Sequence, residues 1–394
     1  MQAKQKILVT GTSGFVGGRI VELLHLTQFG EVRAGVRTWS SAARIVRFPV
    51  EVVLCDIMQP ESIAAAMKGV DAVVHCAYSD SRQVIVEGTR NMLEAALAEG
   101  VKRFVFLSTA EVYGSQAQGE IDESAPYVYT GGEYGDSKID AEKLCFEYLA
   151  KGVPITILRP SIIYGPFSNT WVVRTAQRLQ SGNWGVFDKY GNGTCNLIYV
   201  DDLVMAIFQA LVNPKAVGEA FNIAGPDRLT WNTYFERLNA ALGLPSLQKI
   251  SSSQSNMKSA LRDRVNGFTS FFVARYRDQL MDIYLHNKFW GKWMRKLKSS
   301  LHSTPSVSEL QNLFSRDAHY VGKKAKDLLG FEAQFDVDRG VRLSALWLDH
   351  SGFLTQPIAK ATKATAPAPT QAPANGTNNS SKVTVNQRES VPSL

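Results

Sequence analysis

The chain has 394 residues, 43 Lys+Arg against 36 Asp+Glu, a formal charge of +7 and 45% hydrophobic residues. That balance excludes wholesale disorder, collagen-like repeats and a disulfide scaffold, and the length allows two or three domains of about 150 residues each. Cys55, Cys76, Cys145 and Cys195 lie far apart with no CxxC pair, so no metal site or dithiol motif is expected, and a reducing cytoplasm suits them.

The opening MQAKQKILVTG enters a strand pattern within a few residues, which leaves no room for a signal peptide. No window offers the roughly 18 apolar residues of a spanning helix. Up to about residue 165, short β-branched runs alternate with helical patterns, the mark of βαβ units. Candidate strands cover 6–10, 31–36, 50–55, 72–76, 103–108 and 155–159. Each is apolar nearly throughout, as expected when helices cover both faces of a sheet. The pattern predicts an α/β fold: a Rossmann-type doubly wound parallel sheet over 1–165, completed by later segments. Residues 166–355 read as a smaller C-terminal α/β substrate lobe ending in a helix over Val337–His350, with a basic insertion at 251–308. Residues 356–394 have few large apolar groups and are expected to be a disordered tail.

The first strand runs into Gly11-Thr12-Ser13-Gly14-Phe15-Val16-Gly17, followed by a helical pattern. Glycines there allow positive φ, close approach of backbone to a pyrophosphate and close helix-to-strand packing. The pyrophosphate would sit over free N–H groups at the helix N-terminus. Gly35-Val36-Arg37 offers no acid for ribose hydroxyls at the end of the second strand; Arg37 suits a 2′-phosphate, so NADP is preferred over NAD. Asp56 and Ile57, closing the third strand, are placed to meet the adenine end.

Tyr134 and Lys138 are four residues apart, on one face of a helix. A tyrosine of ordinary pKa near 10 is a poor acid-base at neutral pH, and a neighbouring ammonium lowers that value. Hydride transfer at a carbinol carbon needs such a proton partner. With GTSGFVGG, LCD, VVHCA, LSTAEVYG, YGDSK, LRPSIIYGP, NLIYVDDL and AKDLLGF in this order, the sequence resembles the extended short-chain dehydrogenase/reductase family, the NAD(P)-dependent epimerase/dehydratase group.

The resemblance implies an enzyme in which Tyr134 exchanges a proton, Thr109 holds the substrate oxygen and Lys138 binds the nicotinamide ribose and tunes Tyr134. It also implies that Ala77 passes the cofactor, that Pro160 and Ile163 lie beside the nicotinamide, and that Ala110, Ser161 and Cys195 face the substrate. Glu111 matches a carboxylate carried by dTDP-glucose 4,6-dehydratases and UDP-glucuronate decarboxylases, and is a further catalytic candidate; a strand-end carboxylate is the equal alternative. Ala110 stands where dehydratases need Asp, which disfavours dehydration. Cys195 replaces the Arg with which nucleotide-sugar enzymes commonly grip a diphosphate. Ser161 replaces an Asn, and Ile85 another Asn that supports a relay water. A nucleotide-sugar or related sugar is the first substrate reading. A hydrophobic ketone, as for an NADPH-dependent ketone reductase or 3β-hydroxysteroid dehydrogenase, is the second, and a non-catalytic NADP-sensing scaffold the third. A homodimer is a further implication.

Residues 258–298 carry a net +7, and the tail adds +3. At helical spacing Leu285, Phe289, Trp290, Trp293, Met294 and Leu297 oppose Lys288, Lys292, Arg295 and Lys298. Such a helix suits an anionic membrane surface, which would place the cytoplasmic protein peripherally at the inner membrane face; a lobe helix packed on the protein is the equal alternative. Nucleic acid is not expected as a partner, since no binding motif accompanies the charge.

Overall fold

Alternating apolar runs and amphipathic stretches build a single seven-stranded sheet with helices on both faces. The structure, a computed structural model, describes residues 4–115, 117–251, 305 and 309–354. The amphipathic pattern at 258–298 and the tail at 356–394 lie outside the described residues.

The chain runs β1 (Lys6–Thr10), α1 (Phe15–Leu26), β2 (Glu31–Val36), a 3-10 turn (Trp39–Arg44), β3 (Glu51–Leu54), α2 (Pro60–Met67), β4 (Ala72–His75), α3 (Arg82–Ala98) and β5 (Arg103–Leu107). A second 3-10 turn (Ala110–Tyr113), β6 (Gly119–Ile121), α4 (Glu133–Ala150), β7 (Ile155–Pro160) and β8 (Ile162–Tyr164) follow. Then come α5 (Arg174–Gln180), β9 (Gly185–Phe187), β10 (Leu197–Tyr199), α6 (Val200–Val212), β11 (Ala220–Ile223), α7 (Trp231–Ala241) and β12 (Gln248–Ile250). Past the insertion lie β13 (Ala318–Tyr320) and α8 (Val337–His350).

The sheet order is β11-β7-β5-β4-β1-β2-β3 and every pair is parallel. The order reverses between β1 and β4, and the crevice beyond their carboxyl ends is where ligands bind in such sheets. All six sequence-predicted strands are in it, and β11, from the second half of the chain, pairs with β7. β4 and β5 end at His75 and Leu107, one residue before Cys76 and Ser108, which were predicted as strand residues and line that crevice.

Side-chain alternation explains the two covered faces. Ile7 and Val9 of β1 pack with Ile20 and Leu24 of α1 and Leu203 and Ile207 of α6. Leu8 points the other way, into a cluster with Met92 and Leu93 of α3 and Leu144 of α4. A third cluster is aromatic: Trp184, Phe187, Trp231, Tyr234, Phe235 and Phe314, with Trp231 and Phe314 centroids 4.8 Å apart. Full burial of one such ring is worth roughly 1.5–3 kcal/mol.

One buried ion pair joins α4 to β7. Arg159 Nη2 stands 2.6 Å from Glu142 Oε2, with side chains 4% and 0% exposed. Arg159 also donates to the hydroxyls of Tyr113 (2.9 Å) and Tyr127 (3.0 Å), and Ser108 Oγ donates to Glu142. Removing one partner strands a buried charge. Arg159→Met is expected to cost about 3–5 kcal/mol in urea unfolding and Glu142→Leu/Arg159→Met clearly less; equal losses in the two would show that the pairing is not what matters.

Candidate active site

The crevice begins where the backbone turns most sharply. Gly11 follows β1 with φ of +70°, and a Cβ there would stand 2.6 Å from the Cys76 carbonyl oxygen. A Cβ on Gly17 would stand 2.3 Å from the Gly11 carbonyl oxygen, so α1 can approach the loop this closely only with glycine. Gly14 caps α1 with no side-chain hydrogen bond, leaving the first N–H groups of a 12-residue helix as donors. This cradle fits a dinucleotide pyrophosphate.

The cleft above it, about 1130 Å³, is lined by Gly11, Ser13, Gly14, Phe15, Val16 and Gly17. Ala77 follows β4, and Thr109, Ala110 and Glu111 follow β5. Tyr134 and Lys138 enter from α4, and Pro160, Ser161 and Ile163 from β7 and β8. Residues from five places in the sequence thus share one cavity.

Thr109 Oγ1 accepts the Glu111 backbone N–H at 3.2 Å, which fixes its hydroxyl at the start of the 3-10 turn. Burial pushes the Tyr134 phenol above the ordinary range, Tyr78 and Glu111 add to this, and a hydrogen bond with Thr109 opposes it. Lys138 Nζ donates to the Leu107 carbonyl at 2.8 Å. Burial pulls its pKa down to about 8, against Cys145, Cys76 and Glu142. The sequence led us to expect Lys138 to pull the phenol down. In the structure the dominant effect on Tyr134 is desolvation, and the Lys138 bond goes to the strand.

Five sequence-chosen residues are not on the cleft wall. Thr12 is buried and donates Oγ1 to the Gly35 carbonyl at 2.8 Å, bracing the loop from behind. Arg37 is exposed at the end of β2. Asp56 Oδ1 accepts the Met58 N–H at 3.0 Å and so shapes its own turn, while Ile57 lies under Gly88 of α3. Cys195 is wholly buried in the aromatic cluster, its thiol pushed well up by that burial. Thr194 and Asn196 line the cleft instead, because neighbours on an extended segment face opposite ways.

Two arginines escaped the sequence reading. Arg316, side chain 9% exposed, pairs through Nη2 with Glu111 Oε1 at 3.2 Å and donates Nη1 to the Tyr320 hydroxyl at 2.9 Å. Its backbone carbonyl accepts the Thr194 N–H at 2.8 Å, which seats it on the cleft wall. Arg44 donates Nη1 to the Gly14 carbonyl at 2.8 Å. No local motif marks either one. Among the described residues no group of three or more His, Cys, Asp or Glu side chains could hold a metal ion, and no helix is long and apolar enough to cross a membrane. All four cysteines are free.

The profile of the NAD dependent epimerase/dehydratase family matches residues 7–224. Among relatives, a UDP-glucose 4-epimerase of Vibrio cholerae is 28% identical over 267 residues, 62% of this chain and 78% of that protein. A 3-beta-hydroxysteroid dehydrogenase of Mycolicibacterium neoaurum is 29% identical over 267 residues, 62% of this chain and 72% of that one. The solved UDP-glucuronic acid 4-epimerase of Bacillus cereus in complex with NAD shares the fold, with a TM-score of 0.63 at 18% identity over 88% of this chain and 99% of its own. With its glycine cradle, parallel sheet and matched profile, this chain belongs to the NAD dependent epimerase/dehydratase family, whose members are catalytic oxidoreductases and isomerases.

Proposed function

We propose that the protein moves a hydride between NAD(P) and a secondary alcohol or ketone carbon, with a nucleotide-sugar or related sugar as substrate. The observation that carries this is the convergence of Thr109, Tyr134 and Lys138 with the glycine cradle on one cleft. Bound NAD(P) supplies the hydride acceptor or donor. Tyr134 exchanges the hydroxyl proton, Thr109 orients the oxygen and Lys138 holds the ribose. Residues 1–165 hold the cofactor, and residues 166–355 form the substrate lobe. Thr194, Asn196 and Asn312, with Trp171 and Trp231, line its part of the cleft, a set that suits hydroxyls and a sugar face. Ser161 Oγ is buried there without a hydrogen-bond partner, and a substrate polar group would satisfy it.

A second reading, reduction of a hydrophobic ketone, is favoured by the inward turn of Cys195. No cation stands at that position, and Arg316 is already paired with Glu111. The third, a non-catalytic NADP sensor, has no observation of its own in its favour. We read Arg37 as favouring NADP, the α4 helix as a dimer contact, and 258–298 as a peripheral membrane contact of a cytoplasmic protein.

Native mass spectrometry separates the two substrate readings. An epimerase should retain NAD or NADP through purification and give no net redox turnover; free exchange of NADPH with net turnover would reverse the choice. Tyr134→Phe should lower turnover of UDP-glucose or a 3-oxosteroid, whichever the wild type accepts, by about 10²–10⁴-fold with NADH affinity unchanged; undiminished turnover removes Tyr134 from the mechanism. Lys138 loses its proton as pH rises through about 8, so NADH affinity should fall across that range in the wild type. In Lys138→Arg, whose guanidinium does not titrate there, the fall should vanish; a fall that persists means another group titrates. Finally, deleting 258–298 should abolish co-sedimentation with anionic vesicles at modest salt. Equal binding with and without the segment rules out that contact.

A further inference from the structure

Arg44 and Phe167 are far apart in sequence and neither belongs to a recognised motif, yet they meet at the cofactor groove. Arg44 ends the 3-10 turn after β2, and its Nη1 donates to the Gly14 carbonyl at 2.8 Å. Its guanidinium carbon lies 4.0 Å from the centre of the Phe167 ring. Gly14 and Phe167 both line the cleft, so one guanidinium ties the phosphate loop to the loop after β8.

Several features mark this contact as built. Phe167 has φ of +71°, a left-handed conformation that is an outlier for a bulky residue and is kept only where the surroundings impose it. Its ring is also supported from Trp347, with centroids 4.8 Å apart. Gly18 of α1 makes room: a Cβ there would stand 2.8 Å from Arg44 Nε. Arg44 Nε and Nη2 are buried without hydrogen-bond partners, an arrangement that costs stability. Burial pulls the pKa of the guanidinium down to about 10. A fold that tolerates a partly buried guanidinium with two unpaired nitrogens and a strained aromatic at one contact is using that contact.

We propose that Arg44 and Phe167 form a latch that retains the dinucleotide, holding the β8 loop against the phosphate loop so that cofactor release requires their separation. This rests on the reading that the groove binds NAD(P), and assigns both residues to cofactor retention.

The test loads the full-length protein with NADH and follows fluorescence as excess NAD⁺ displaces it. Phe167→Ala and Arg44→Gln should each speed release at least about threefold, the range a partly buried cation–π contact supports. Gly18→Ala, whose Cβ displaces the guanidinium without removing it, should do the same and covers the case of a poorly folding Arg44 variant. Because the two residues act as one contact, the Phe167→Ala/Arg44→Gln double variant should release no faster than the faster single. Release changed by less than about threefold in the variants, or a double variant equal to the product of the singles, overturns the latch. A wild type that binds neither NADH nor NADPH overturns the cofactor reading and the latch together, whereas binding with unchanged release overturns the latch alone.

Discussion

The architecture of the site depends on one close approach, the Gly11 Cα against the carbonyl of Cys76. It occurs where the sheet order reverses, between β1 and β4, so the turn after β1 must pass beside the residues that follow β4. A side chain at position 11 would force the two segments apart and tilt α1 away from the crevice. With glycine there and at 17, the helix N-terminus closes onto the loop and its unpaired N–H groups become the floor of the cleft. The ends of β5 and β7, two and three places along the sheet, then fall within reach of anything bound on that floor.

On the far side of that floor, burial sets the electrostatics. It pushes the Tyr134 phenol up and the Lys138 ammonium down, favouring the neutral form of each, because a charge pays for lost hydration. Neighbours counter it: the Thr109 hydroxyl on Tyr134, and Cys145, Cys76 and the Glu142 carboxylate around Lys138. Glu142 is itself held by Arg159 and Ser108, so the charge that supports Lys138 comes from a buried network braced against the same strand end that carries Thr109. Position and protonation are thus set by one set of contacts.

Much of this was readable from local pattern. The glycine loop, the six parallel strands and α8 follow from turn chemistry and apolar periodicity, which act over a few residues. The pairing of Tyr134 with Lys138 on one helical face follows from a four-residue spacing. Cys195 was different: its place before the NLIYVDDL stretch marked it as substrate-facing, yet whether an extended residue points in or out depends on the pleat, and only its neighbours Thr194 and Asn196 face the cleft. Thr12 likewise spends its hydroxyl on the Gly35 carbonyl of β2, and Asp56 its carboxylate on its own turn.

The sequence by itself determined the class of fold, the glycine cradle and the placing of Tyr134 and Lys138 on one helical face, because each rests on short-range geometry that residue type dictates. The tertiary structure alone decided which side chains meet across long separations. Arg316 reaches Glu111 over 205 residues, and Arg44 reaches Phe167 from a different strand-end loop. No periodicity carries such information, since these contacts exist only once the sheet has brought the strand ends together and burial has removed the water that would otherwise satisfy the two guanidinium groups.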